Sequence, residues 1–355
     1  MNNEQFRISV IGAGIGGLTA GALLARRGYQ VFIYDQAIVP GGCASTFKRR
    51  GFTFDVGATQ VAGLELGGIH QRIFEELNVE LPAAIPCNPA CAVFLPGEKE
   101  PINVWRNPEK WSLERQRQFP GSEPFWQLMA KLFQASWKFQ SRDPVLPPRN
   151  LWDLWQLVAA IRWDTLITLP FALMTVGDAL RLYGLEQDTR LKTFLDLQLK
   201  LYSQVNADET ALLYAATALA VSQEPQGLFH LQGSMQVLSD RLVEALEKYG
   251  GKLFMGHTVE QIFTESGRVT GVKIRNQKTD EVWTEATNNV VANVTIQNLA
   301  KLLDEDKERG RRGGDKGTRR QGRWGSQKSG VRSQKSGVYP LPITHYQSRV
   351  DKLPE

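Results

Sequence analysis

Near the start of the chain, Gly12-Ala13-Gly14-Ile15-Gly16-Gly17 has the residue types and spacing to hold a phosphate. Gly12 permits a tight turn, Gly14 lets the backbone approach a pyrophosphate, and Gly17 lets a following helix pack closely on the preceding strand. The free N–H groups of that helix's first turn, and the positive end of its dipole, would face the anion. Asp35 is placed to accept hydrogen bonds from ribose hydroxyls. A second turn, Val39-Pro40-Gly41-Gly42, follows the acid, with Ser45, Thr46, Lys48, Arg49 and Arg50 behind it. Hydroxyls and cations there can wrap the far side of a long pyrophosphate cofactor, whereas Pro-Gly by itself is an ordinary turn.

The elements that must position these residues are legible. Arg7-Ile8-Ser9-Val10-Ile11 is a short apolar run that predicts a strand, and Leu18, Ala22, Leu23, Leu24 and Ala25 recur at helical spacing until Gly28. Gln30 to Asp35 supplies a second strand ending in the acid. Strand, glycine turn, helix, strand and acid in that order form a complete βαβ dinucleotide unit. A secretory signal does not fit Ile8 to Ala25, because no basic segment precedes it and glycines interrupt the run. Gly51 to Gln60 reads as a short alternating strand ending in another glycine bend.

Composition narrows the remaining chemistry. Cys43, Cys87 and Cys91 leave no disulfide framework, and the last two lack the second ligand pair of a zinc site. A reducing cytoplasm is the expected compartment. The net charge of +5 invites a nucleic-acid reading, yet residues 309–355 hold 12 basic and three acidic side chains, leaving the first 308 mildly acidic. That segment, 304–355, is Arg/Gly/Lys-rich without apolar periodicity and carries a near-tandem heptad, Ser326 to Arg332 and Ser333 to Tyr339. It is expected to be a disordered basic tail, and no nucleic acid is expected as a partner.

From the glycine motif onward the chain resembles the FAD-dependent oxidoreductases of the phytoene desaturase, carotenoid isomerase and amine oxidase superfamily. In these an acid follows the Rossmann unit, then Pro-Gly-Gly, then Gly-Phe-x-Phe-Asp-x-Gly, here Pro40-Gly41-Gly42 and Gly51-Phe52-Thr53-Phe54-Asp55-Val56-Gly57. The wording is closer still to carotenoid C-3′,4′ desaturases of cyanobacterial type. The matching strings include Gly57-Ala58-Thr59-Gln60-Val61-Ala62-Gly63-Leu64-Glu65, Gly67-Gly68-Ile69-His70 and Leu195-Asp196-Leu197-Gln198-Leu199-Lys200-Leu201-Tyr202. The resemblance runs over roughly residues 5–303.

It implies FAD as cofactor and a carotenoid as substrate, with hydride transferred to the flavin as a double bond forms. The implied cofactor residues are Gly12, Ala13, Gly14, Gly17, Asp35, Gln36, Gly41 and Gly42. Gly57, Ala58 and Thr59 are expected near the isoalloxazine ring, and the backbone of Val259 against the adenine. No residue receives a catalytic role. A carotenoid isomerase of the same family, or an inactive remnant without flavin, are the alternatives. The family's closing segment carries another glycine-rich turn and helix against the flavin, and nothing after Leu303 has that pattern, so the chain reads as C-terminally truncated.

The expected fold is α/β: a Rossmann-type FAD-binding domain from residues 1–62 and 228–303, interrupted by an inserted helical and mixed substrate domain at 63–227. Val176 to Ala220 predicts consecutive helices, with Leu191, Phe194, Leu195 and Gln198 on one face. A helix is expected over Gln236 to Tyr249, a strand over Gly250 to Phe254, and two more over His257 to Phe263 and Arg268 to Ile274. Asn289 to Asn293 returns to the Rossmann sheet, and His230 is assigned a structural place. Residues 105–175 are rich in Trp and Phe, and no stretch is long and apolar enough to span a bilayer. Leu151 to Val176 leaves two readings open: an interfacial helix pair giving peripheral membrane contact, or a cap packed on its own core. The oligomeric state is left open.

Overall fold

The computed structural model describes residues 6–142, 144–145 and 147–303; the basic segment at 304–355 lies outside them. Along the chain run β1 (Arg7–Ile11), α1 (Ile15–Arg26), β2 (Gln30–Asp35), β3 (Thr46–Arg49), β4 (Phe52–Asp55), α2 (Ile69–Leu77), β5 (Ala84–Pro86), β6 (Cys91–Val93) and β7 (Ile102–Val104). A helical stretch follows: α3 (Pro108–Gln118), α4 (Glu123–Gln140), α5 (Leu151–Ala160), α6 (Trp163–Leu166), α7 (Val176–Leu182), α8 (Thr189–Ser203) and α9 (Leu212–Ala220). Then come β8 (Phe229–Leu231), α10 (Gln236–Lys248), β9 (Lys252–Met255), β10 (His257–Glu265), β11 (Arg268–Asn276), β12 (Val282–Ala286), β13 (Asn289–Ala292) and α11 (Ile296–Leu303).

The chain is α/β with a Rossmann-like core. Its parallel sheet has the order β13-β1-β2-β9, with Ile8 opposite both Val31 and Asn289. Side chains alternate between the two faces with the period of two that a strand dictates. Ile8, Val10, Val31 and Ile33 enter a core with Leu18 and Ala22 of α1 and Leu238, Leu242 and Leu246 of α10. Ile11, Phe32 and Tyr34 turn to the other face and meet Val259, Ile262, Val272 and Ile274 of the antiparallel β10-β11-β12 meander. Buried on both faces, the strands must read as near-continuous apolar runs, as Val31 to Tyr34 does. Close approach of α1 rests on Gly21, where a methyl group would come within 2.6 Å of the Ile33 Cδ1.

A second core joins α3, α4, α7, α8 and α9 and is built around Trp111, Phe119, Phe125, Trp126 and Phe194. Leu191, Phe194, Leu195 and Gln198 of α8 are all buried. The helices start where side chains take up orphan N–H groups: Asn107 on α3, Thr175 and Asp178 as a capping box on α7, Asp188 on α8.

Two stretches take a more definite form than the sequence reading gave them. Thr46 to Arg49, read as the hydroxyl and cation trail of a glycine turn, is a strand paired with β4, the hairpin closing through positive φ at Arg50 and Gly51. Stacking of Phe47 on Phe54 across the pair favours this pairing. Along residues 151–173 only Ala160 and Thr168 are buried. Leu151, Trp163 and Leu173 are 85, 86 and 98% exposed. The stretch is anchored where Arg142 donates to Asp164 and to the Ala160 carbonyl and where Phe171 and Met174 pack on the second core, while much of α5 stays exposed. Among the described residues no helix is long and apolar enough to cross a membrane.

Candidate functional site: a glycine crevice at the sheet's switch point

In the sheet, β1 continues to β2 and β9 on one side and to β13 on the other, so the strand order reverses beside β1. A crevice at the carboxyl end of such a reversal is where open α/β sheets bind ligands. The glycine turn occupies it. Gly12 has φ +99°, and its N–H donates to the Tyr34 carbonyl at 2.8 Å. Gly14 caps α1 without any side-chain acceptor, and no acid lies in the helix's first turn. The N–H groups that open α1 are therefore available to an anion. A methyl group at Gly17 would stand 2.0 Å from the Gly12 carbonyl oxygen.

The second glycine turn folds onto the first. The Gly41 N–H donates to the Ala13 carbonyl at 2.7 Å, and Gly14 and Gly41 form a parallel bridge. Gly41 has φ +114°, and a methyl there would meet the Ser239 Oγ at 2.4 Å. One at Gly42 would touch the Gly14 Cα at 3.4 Å. Pyrophosphate cradles require bare backbone, and here the two turns and their supports pack too closely to admit a Cβ at Gly12, Gly17 or Gly41. The residues present thus fit a dinucleotide.

Asp35 has a role that its position alone does not reveal. Its Oδ2 accepts from the Ala13 N–H at 2.6 Å, and its Oδ1 from the Ala37 N–H at 2.8 Å. The carboxylate ties the glycine turn to the end of β2 and keeps further acceptor sites for a ribose. Gln36, next to it, is exposed. Beneath them the Tyr34 hydroxyl donates to the Glu285 carboxylate, which also pairs with Arg7. Burial pushes the Tyr34 phenol up to about 12, with the Arg7 charge opposing.

Gly57, Ala58 and Thr59 attach to the same layer through Cys43. The Ala58 N–H donates to the Cys43 carbonyl at 2.9 Å, and Gly57 packs on that carbonyl. The Thr59 carbonyl lies 3.2 Å from the His230 Nδ1. Val259 follows in β10, just after the point where Met255 of β9 pairs with Asp35 and the Gly256 N–H donates to the Ala37 carbonyl. Its side chain is buried with Ile11 and Tyr34. The β10–β11 register shifts just after it, leaving Glu260 without an opposite residue.

Sequence reasoning missed Gln236 and Asn293, which help brace this layer. Gln236 donates from Nε2 to the Pro40 carbonyl at 3.1 Å and accepts from the Thr46 N–H at 3.2 Å, stapling both ends of the second glycine turn. The Met235 N–H donates to the Asp55 Oδ1 at 3.1 Å. Asn293, just after β13, presses its side chain against the first turn. The one available signal was that Asn293 ends a strand returning to the sheet.

Comparison with known proteins agrees with this geometry. Residues 10–77 match the model of the NAD(P)-binding Rossmann-like domain. Prolycopene isomerase 2, chloroplastic, of an Oncidium hybrid cultivar is 27% identical over 277 residues, 77% of this chain and 46% of the relative. A 4,4′-diapophytoene desaturase (4,4′-diapolycopene-forming) of Methylomonas sp is 26% identical over 276 residues, 76% of this chain and 50% of the relative. The chain thus spans about half the length of these curated relatives. Among solved structures, an oxidoreductase from Methanosarcina mazei superposes with a TM-score of 0.54 at 18% identity, covering 85% of this chain and 62% of that one. Putrescine oxidase bound to putrescine gives 0.53 at 15%, covering 84 and 60%. At such identities the structures establish the fold.

Proposed function

We propose, from the chain's membership of the superfamily of phytoene desaturases, carotenoid isomerases and amine oxidases, that its glycine crevice binds FAD and that it is an oxidoreductase introducing a C-3′,4′ double bond into a carotenoid. The observation that carries this reading is the bare cradle of Gly12, Gly14, Gly17, Gly41 and Gly42 at the switch point. It stands in a chain that aligns with a desaturase over 276 residues. In this reading residues 1–62 and 228–303 form the cofactor-binding domain, and 63–227 the substrate domain.

When bound, FAD supplies acceptance of a hydride at its N5. The chain's residues do the holding. The start of α1 would take the diphosphate, Asp35 would orient the turn and the adenosine ribose, and the Val259 backbone would meet the adenine. Gly57, Ala58 and Thr59 are assigned to the isoalloxazine side, where small side chains let the ring and an apolar substrate lie close. The exposed Trp and Leu side chains of α5 and α6 are assigned to peripheral membrane contact.

Cis–trans isomerisation of a carotenoid is the second reading, favoured because a prolycopene isomerase matches as well as a desaturase does. One preparation separates the readings. The purified chain is expected to retain or take up FAD, with a visible absorption band, and to convert a carotenoid to a product lighter by two hydrogens. A product of unchanged mass and altered geometry would establish the isomerase. Failure to bind FAD under any folding condition would remove both and leave an inactive remnant.

A further inference from the structure

Asn293 follows β13, and its N–H donates to the Ile11 carbonyl at 2.8 Å, which places it at the head of the crevice between β13 and β1. Its carboxamide lies over the first glycine turn. The Nδ2 is 3.1 Å from where a Gly14 methyl would be and 3.2 Å from a Gly17 methyl, and the Oδ1 is 3.0 Å from a Gly16 methyl. The side chain is exposed and has no hydrogen bond among the described residues. A free amide therefore stands beside the N–H groups that open α1, in the space that the cradle reserves for an anion.

Gly16 supports the same conclusion independently. The fingerprint is satisfied by Gly12, Gly14 and Gly17, so Gly16 is not one of its glycines. It sits in the first turn of α1 with ordinary helical φ, where alanine is more favourable than glycine. What its missing Cβ leaves room for is the Asn293 carboxamide.

We propose that Asn293 is a further binding residue for the dinucleotide, its carboxamide donating to a diphosphate oxygen from alongside the first turn of α1, and that Gly16 is glycine to admit it. The inference rests on the reading of the crevice as an FAD site. An amide suits this place because it adds a donor without a counter-charge that would lock onto α1 by itself. A carboxylate there would accept from the free N–H groups and exclude the phosphate.

The test is titration of the flavin-free chain with FAD, followed by fluorescence quenching, with ADP as a second probe that carries the diphosphate without the flavin ring. Hydrogen bonds to charged groups are worth about 1.5–3 kcal/mol. Asn293→Ala is accordingly expected to weaken both probes about tenfold or more, and Asn293→Asp to weaken them further. Gly16→Ala is expected to weaken FAD while leaving the melting temperature equal or higher, since the helix gains alanine. In the Asn293→Ala background Gly16→Ala is expected to have no further effect on FAD. Affinities for FAD within twofold of the parent in Asn293→Ala and Asn293→Asp, with circular dichroism unchanged, would overturn the proposal while leaving the FAD reading intact. So would a Gly16→Ala effect that persists without Asn293. A parent chain that binds neither probe would overturn both.

Discussion

Asp35 shows how one side chain can serve the scaffold and the ligand together. Its two oxygens hold the N–H groups of Ala13 and Ala37, and Ala13 is fully buried. Asp35→Ala leaves those donors without acceptors, at a cost of about 1–3 kcal/mol. The melting temperature is expected to fall by about 2–5 °C and FAD affinity to fall with it, as scanning calorimetry and titration would read. Asp35→Asn keeps one acceptor oxygen and is expected to recover part of the stability. At this scale the glycines were legible because each answers a local backbone demand. Asn293 was not, since its partners lie near the other end of the chain and no spacing rule connects them. Asp35 was half legible: its position names the ribose, while its bond to Ala13 depends on how the turn folds back.

Among the elements, the βαβ unit, α10 and the return strand could be read because apolar periodicity was strong and glycines marked their ends. The β3–β4 hairpin could not, since Lys48, Arg49 and Arg50 mask a pairing driven by Phe47 and Phe54 across the strands. Between sheet and meander, β1, β2 and β12 meet at Arg7, Tyr34 and Glu285. The Tyr34 phenol, ordinarily near 10, is raised to about 12 by burial. Folding therefore favours its protonated form, and this contribution to stability is complete below pH 10 and is lost as pH rises toward 12. The melting temperature is expected to drop over that window, with a shallower drop in Tyr34→Phe. Burial also raises Cys91 to about 11 and Tyr202 to about 12, so the slope should flatten in Tyr34→Phe without vanishing.

For the molecule as a whole, the distribution of apolar surface matters more than net charge. Two cores are well packed, yet Leu151, Trp152, Trp155, Trp163, Leu169 and Leu173 remain open to solvent. Exposed apolar clusters of this size are interaction surfaces or aggregation liabilities. Membrane contact is expected to show as cosedimentation with lipid vesicles, and replacement of Trp152, Trp155 and Trp163 by serine to abolish most of it while leaving FAD affinity unchanged. Vesicle binding that survives the triple replacement would locate the contact elsewhere. The sequence could not settle this surface, because a run of Trp and Leu reads alike whether it faces a core or a solvent boundary.

The central strand β1 also sets a schedule for biosynthesis. Its partner β2 follows almost at once, but its other edge is completed only by β13, where the Arg7 N–H meets the Asn288 side chain across a separation of 281 residues. At roughly 5–20 residues per second of translation, the first glycine turn emerges on the order of 15–55 s before the strand that closes its crevice. Throughout that interval β1 holds one unpaired edge, and the ribosome releases a cofactor-competent crevice only near the end of the described chain.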